Sequence, residues 1–263
     1  MFMGIKNFFI NNMSKQQLLF IIIFIIISTL VYLIINKNNT YFVKNGYNSI
    51  NTKFDPLYKK TNNYLSLETC NSLSKFLEDH PRNKKNTFSG SFKNTYGLSF
   101  SFRQDNLNLL DDFNKYDIED LYPIVTKIIN DISKKSNAYI VNVLIIEPKI
   151  SNCSNKIVNY HYDDSLDIMS GKKIQLARWI TANYLQLPKH FTSGELLIYD
   201  IGNKKNYLIN PEVGSMVRFR GDSYHGVNKI CSDEKTKRIS LIIEHYELTP
   251  NQLINVPSFT IDI

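Results

Sequence analysis

The chain has 263 residues, 43% of them apolar, enough for one domain of ordinary size plus an appendage. Its formal charge of +7 is spread over lysine pairs such as Lys59-Lys60, Lys134-Lys135 and Lys204-Lys205 rather than gathered in a basic stripe, so no specific nucleic-acid partner is expected. Three cysteines, Cys70, Cys153 and Cys231, without a C-x-x-C pair exclude a zinc ribbon and a dense disulfide framework; one bridge between two of them stays open.

Residues 1–17 form a short polar tail. From Leu18 to Ile35 there is no charge, and Ser28 and Thr29 are the only polar side chains. A helix of that length reaches about 27 Å, close to the hydrocarbon thickness of a bilayer. The run continues into Asn36-Lys37-Asn38 without a small-residue cleavage site, so it reads as an uncleaved transmembrane helix and membrane anchor rather than a signal peptide. Lys6 and Lys15 on one side nearly balance Lys37 and Lys44 on the other; the expected orientation puts the body of the chain in the lumen of the endoplasmic reticulum.

Residues 36–63 are Asn- and Lys-rich with little patterning and are expected to be a stalk, leaving 64–263 as the folded domain. Ser66 to Asp79 has helical spacing, with Leu73, Phe76 and Leu77 on one face and His80-Pro81 ending it. Residues 82–106 suggest a loop with short strands. Pro123 opens a second helix whose stripe is Ile124, Val125, Ile128, Ile129 and Ile132. From Ala138 onward the pattern turns to β-branched and aromatic runs: Tyr139–Ile146, Ile157–Tyr162, Ile174–Leu187, Glu195–Tyr199, Tyr207–Ile209, Ser215–Phe219, Tyr224–Ile230 and Arg238–Glu247. Helices followed by about eight strands predict an α+β domain with a sandwich or jelly-roll body.

Of five histidines, two sit in informative surroundings. In Asn159-Tyr160-His161-Tyr162-Asp163-Asp164 the period of two puts His161 and Asp163 on one side of a strand end, with Asp164 the less favoured alternative ligand. In Gly221-Asp222-Ser223-Tyr224-His225 a turn delivers a second imidazole, with Asp222 read as a turn residue. Two imidazoles and one carboxylate with open positions are the ligand set of non-haem iron(II) oxygenases, and the metal candidates are therefore His161, Asp163 and His225. Arg238 and Ser240 share one face of a later strand, and a buried arginine there is costly unless it meets an anion. His80 and His245 are read as structural, and His190 as an exposed residue of a Pro-Lys-His-Phe loop.

The order H-x-D, distal His, R-x-S resembles the 2-oxoglutarate/Fe(II)-dependent dioxygenases, particularly their prolyl 4-hydroxylase-like branch. Arg178-Trp179-Ile180-Thr181 leading to Tyr184-Leu185, Ser193-Gly194-Glu195-Leu196 and Leu67-Glu68-Thr69-Cys70 add to the likeness. The resemblance implies a double-stranded β-helix (jelly roll) flanked by helices. It implies Fe(II) on His161, Asp163 and His225, 2-oxoglutarate held by Arg238 with help from Ser240 and Thr181, O2 as oxidant and ascorbate as auxiliary reductant. A protein or peptide side chain, proline foremost, would be hydroxylated. Lys235 is a backup for Arg238. Ile145 to Lys149 stands where the family has Tyr-x-x-Gly, so the tyrosine that would contact the co-substrate is missing from that place, and Ser193 replaces the first glycine of G-G-E. A non-catalytic jelly-roll binding module and a zinc-dependent hydrolase are the competing readings.

Overall fold

The computed structural model describes residues 23, 24, 26–29, 56–85, 92, 95–151, 153, 155–163, 165–166, 175–200 and 203–261. The chain divides into two compact units, 1–49 and 50–263. Within the first, residues 23, 24 and 26–29 are helical, and Ile23, Phe24, Ile26 and Ile27 are exposed. Among the described residues no helix is long and apolar enough to cross a membrane. The rest of the expected span, like most of the expected stalk, lies outside the described residues.

The second unit is mostly sheet with a few helices. Its strands are β1 (Tyr58–Thr61), β2 (Lys84–Lys85), β3 (Tyr96–Gly97), β4 (Ser99–Arg103), β5 (Ala138–Ile146), β6 (Lys156–His161), β7 (Trp179–Gln186), β8 (Thr192–Ser193), β9 (Leu196–Asp200), β10 (Lys205–Ile209), β11 (Met216–Arg220), β12 (Tyr224–Asn228), β13 (Ile230–Cys231), β14 (Arg238–Tyr246) and β15 (Phe259–Ile261). A major sheet runs β1-β11-β7-β14-β5-β3-β2, with β4 also on β5 and β15 on β4. A minor sheet runs β10-β9-β12-β6, and β13 pairs with β8. The pairings are antiparallel.

Alternation along β5, β7 and β14 separates two cores. One face of the major sheet contributes Val141, Val143, Leu185, Leu241 and Ile243 to a cluster with the helices. The other contributes Ile140, Leu144, Ile180, Ala182, Tyr184, Val217 and Phe219, which meet Ile157, Val158, Leu196, Ile198 and Val227 of the minor sheet. Two antiparallel sheets enclosing one core, with helices outside, are consistent with a jelly roll.

The helix Leu67–Glu78 begins where Ser66 Oγ accepts from Thr69 N at 3.1 Å, and it buries Cys70, Leu73 and Leu77 against the helix-side core. The helix Tyr122–Ile132 carries Pro123 in its first turn, where no amide donor is needed, and buries Ile124, Val125, Ile128 and Ile129. Two departures from the sequence expectation concern edges. Tyr58–Thr61, inside the expected stalk, is an edge strand paired with β11. Its sequence, Tyr-Lys-Lys-Thr, has no apolar alternation because backbone hydrogen bonds to one neighbour hold it in place. The short helix Leu109–Lys115 buries Phe113 as its single core residue, too little to generate a periodic signal.

His245 occupies the helix-side face of β14, fully buried, edge-on to Tyr139 and 3.3 Å from Thr181 Oγ1 through Nε2. Burial, with Arg218 nearby, pushes its pKa down to about 3. The fold therefore favours neutral imidazole. Stability is full above the unfolded value of about 6.5 and declines as pH falls from there toward 3, by about 1.4 kcal/mol per pH unit for this one group. Urea midpoints of the metal-free protein are expected to fall between pH 7 and pH 5, and His245→Phe is expected to flatten that slope.

Candidate metal centre and anion pocket

β6 and β12 are antiparallel neighbours in the minor sheet, and His161 lies directly across from His225. Their ring centroids are 4.4 Å apart. Gly226 permits this approach, since a Cβ there would sit 2.8 Å from the Val158 carbonyl oxygen. The pairing loses regularity between His225 and Val227, which frees the end of the ladder to aim both rings inward. Asp163, just past the end of β6, places Oδ1 3.1 Å from His161 Nε2 and Oδ2 3.6 Å from His225 Nε2. One ligand atom from each of the three lies within 4.8 Å of the others.

Both imidazoles are pinned through their other nitrogen. His161 Nδ1 lies 2.8 Å from the Asn159 carbonyl oxygen and His225 Nδ1 lies 3.0 Å from that of Ser223. A carbonyl only accepts, so each ring carries a proton on Nδ1 and turns Nε2 toward Asp163; loss of any proton from Nε2 leaves the neutral Nδ1–H tautomer. That is the tautomer a metal requires, and the backbone carbonyl is its usual outer support. Phe92 packs edge-on to His161 at 4.6 Å and Phe219 to His225 at 4.8 Å, screening both rings from water.

The electrostatics agree. Burial pushes the His225 pKa down to about 4 against the opposing pull of Asp163. Burial also works against the Asp163 carboxylate, but His225 and His161 outweigh it and hold its pKa below the usual value. Two imidazoles with one carboxylate are a donor set that fits a divalent cation. Beyond Asp163, Ser165 Oγ donates to Glu244 Oε1 at 2.7 Å, Asn142 Nδ2 donates to the same oxygen at 3.2 Å, and the Tyr246 hydroxyl donates to Glu244 Oε2. This buried network ties the chain after the ligand to the major sheet. Asp164 lies outside the described residues.

The turn before His225 is fixed by contact. Gly221 N donates to the Arg178 carbonyl at 3.3 Å, and a Cβ on Gly221 would lie 1.8 Å from the Ala177 carbonyl oxygen. Asp222 is a buried turn residue held by Arg220 through two 2.8 Å bonds. Gly221→Ala must move this turn, so it is expected to cost about 2 kcal/mol in an unfolding titration and to weaken metal binding together with stability.

Arg238 begins β14 on the inter-sheet face and is 2% exposed. Its Nη1 donates to the Gly194 carbonyl at 2.7 Å, its Nε donates to Ser240 Oγ at 3.3 Å, and its guanidinium lies 5.1 Å from the Tyr184 ring centroid. Among the described residues no carboxylate is within ion-pair distance of it. Burial lowers its pKa, opposed by Tyr184 and Glu195. The Gly194 carbonyl is delivered by a left-handed turn, φ 62° at Ser193 and 89° at Gly194, a conformation costly for the serine.

Beside this cation, the fully buried Tyr184 hydroxyl has no hydrogen-bond partner among the described residues. Tyr184 pairs across the sheet with Ser240. A buried guanidinium against a tyrosine whose hydroxyl has no partner among the described residues suits a carboxylate ligand.

The other sequence candidates are placed as follows. Thr181 points to the helix side of β7, where its hydroxyl meets His245 Nε2 and the Ile243 carbonyl, so it is not brought to the Arg238 pocket. The strand period decides this: Thr181 and Tyr184 are three apart and face opposite ways. Lys235 is exposed. His80 bonds the Asp117 carbonyl through Nε2 at 2.8 Å, and His190 is exposed with its backbone N–H on Glu234. Sequence reading passed over Phe92, Phe219 and Glu244, and gave Tyr184 as part of the likeness without a role in the site. Only Tyr184 left a signal, alternating with Ile180 and Ala182 on the strand that flanks Arg-x-Ser.

Neither a family model nor a curated protein matches the sequence. Solved structures similar to this chain include a prolyl-4-hydroxylase of Pseudomonas putida (11% identity, TM-score 0.45, covering 75% of this chain and 96% of that one). They include a 2OG-Fe(II) oxygenase family oxidoreductase of Burkholderia pseudomallei (12%, 0.47, 74% and 88%). A viral collagen prolyl hydroxylase of Paramecium Bursaria Chlorella virus-1 in its 2OG complex is a third (14%, 0.42, 74% and 98%). These structural neighbours are prolyl-4-hydroxylase-like and 2OG-Fe(II) oxygenase proteins. The chemistry of this chain rests on its own side chains.

Proposed function

We propose that the chain is a 2-oxoglutarate- and Fe(II)-dependent oxygenase that hydroxylates a protein or peptide side chain, with a double-stranded β-helix as its catalytic body. One observation carries the reading: His161, Asp163 and His225 gather three donor atoms at one point, both imidazoles held through Nδ1 with Nε2 facing Asp163, in a core that also buries Arg238 with a Tyr184 hydroxyl that has no partner among the described residues.

His161, Asp163 and His225 would hold the ion from one side, leaving the opposite side for ligands. Arg238 would receive the distal carboxylate of 2-oxoglutarate through its remaining N–H groups, with Tyr184 and Ser240 donating beside it. Phe92 and Phe219 keep water from the imidazoles. Iron, O2 and 2-oxoglutarate together supply the oxidising power that an unactivated C–H bond demands, so the protein's part is orientation and exclusion of water. A hydrolase would have no use for the buried cation.

Tethering to a membrane through residues 18–35, with the body in the lumen, belongs to the same proposal. The Cys153–Cys231 bridge supports an oxidising compartment.

The test is consumption of 2-oxoglutarate by the full chain with Fe(II), O2 and ascorbate. Consumption that needs all of 2-oxoglutarate, Fe(II) and O2 and is not restored by Zn(II) is the expected result. No consumption with Fe(II), alongside hydrolytic turnover with Zn(II), would replace the reading.

A further inference from the structure

At the far end of the ligand-bearing strands lies a cavity of about 450 Å³, lined by Lys85, Lys149 and Lys229 with Glu147, Thr95 and Tyr96. Ile157, which also lines it, precedes His161 by four residues on β6, and Lys229 follows His225 by four, just past β12. At about 3.3 Å per residue both strands put the cavity wall about 13 Å from the ligands. The segment ending at Tyr96 links the two places: Phe92 packs on His161, and Thr95 donates to the Phe92 carbonyl from its backbone N at 2.9 Å and its hydroxyl at 2.8 Å.

Three ammonium groups face a single carboxylate. Lys149 lies 3.8 Å from Glu147, and both side chains are about half exposed. Among the described residues Lys85 and Lys229 have no ion-pair partner. The frame beneath these side chains is fixed: Lys149 N donates to the Ile230 carbonyl at 2.9 Å, Lys229 N to that of Asn155 at 2.9 Å, and the Cys153–Cys231 bridge ties the two segments together. Like charges gathered around one concave surface repel one another, and an incoming anion relieves that repulsion.

Resting on the oxygenase reading, we propose that this cavity docks an Asp or Glu side chain of the polypeptide substrate, about four residues along an extended chain from the residue that is oxidised. A fully extended segment covers the 13 Å separation in about four residues. The lysines would then select acidic segments and set which residue reaches the metal.

The probes are fluorescein-labelled ten-residue peptides of Ala, Ser and Gly with one proline, carrying Glu-Glu four residues to either side of it, and matched Gln-Gln peptides. Binding to the full chain is read by fluorescence anisotropy, without turnover. At low salt a Glu-Glu peptide is expected to bind about fivefold more tightly than its Gln-Gln partner, with the preference lost near about 0.5 M salt. The Lys149→Glu, Lys229→Glu double variant is expected to lose that preference and favour a Lys-Lys peptide.

His161→Ala is expected to retain the Glu-Glu preference, so a failed oxygenase reading leaves this docking measurable on its own. Equal affinity of native chain for Glu-Glu and Gln-Gln peptides would overturn the proposal. So would a charge-reversed variant that still prefers Glu-Glu, or displacement of the peptide by an equal concentration of free glutarate, which would assign the cavity to a small anion.

Discussion

Asp163→Asn protein is expected to bind Fe(II) or its surrogate Mn(II) at least about 100-fold more weakly than the native chain, and to consume no measurable 2-oxoglutarate. Asp163 supplies the one negative charge among the three ligands, and its oxygens lie between both Nε2 atoms. Asparagine keeps the shape and removes the charge. Loss of metal affinity is then separable from loss of fold, because the Glu244 network that anchors the following residues does not include the Asp163 side chain. Calorimetric titration with Mn(II), alongside a thermal melt, checks both halves. Near-native affinity with a native melt would remove Asp163 from the site.

Arg238→Leu is expected to raise the KM for 2-oxoglutarate by about two orders of magnitude while metal affinity stays within a few-fold of native. The guanidinium is buried and makes two neutral hydrogen bonds, to Gly194 and Ser240, so it keeps charge and donors in reserve for an anion. Leucine fills similar space and leaves the Gly194 carbonyl unsatisfied, a cost to stability of about 1–3 kcal/mol. Arg238→Lys restores the charge but not the planar fork and is expected to fall between the two. Tyr184→Phe removes one hydroxyl whose partner in this account is the same carboxylate, and a KM increase of about fivefold is expected with little change in stability, since that hydroxyl has no partner among the described residues. Initial rates across 2-oxoglutarate concentrations distinguish these outcomes.

What was legible in the sequence follows strand periodicity. Arg238–Tyr246 and Ala138–Ile146 are long central strands, buried on both faces, and their β-branched runs mark them to within a residue or two. His161 and Asp163 could be placed on one side because alternation continues past the strand end. Thr181 was proposed beside Arg238 on likeness alone; alternation along β7, counted from Tyr184, puts it on the helix side. Edge strands such as Tyr58–Thr61 are held by backbone bonds to one neighbour and carry no side-chain pattern to read. The tyrosine that resemblance would place before H-x-D is absent there, while Tyr184, on a different strand, sets its ring against the Arg238 guanidinium. Such a substitution across the core becomes visible only once the cross-strand pairing of Tyr184 with Ser240 is known.

In a 2-oxoglutarate oxygenase the metal ligands and the buried guanidinium must serve one bound molecule. Anaerobic calorimetry of 2-oxoglutarate binding, with the native chain metal-free and then loaded with Fe(II), measures this directly. If the co-substrate touches both the metal and Arg238, loading raises its affinity at least about tenfold, and either Asp163→Asn or Arg238→Leu removes most of the gain. Identical 2-oxoglutarate affinity with and without metal would place the two sites in separate pockets and contradict the account.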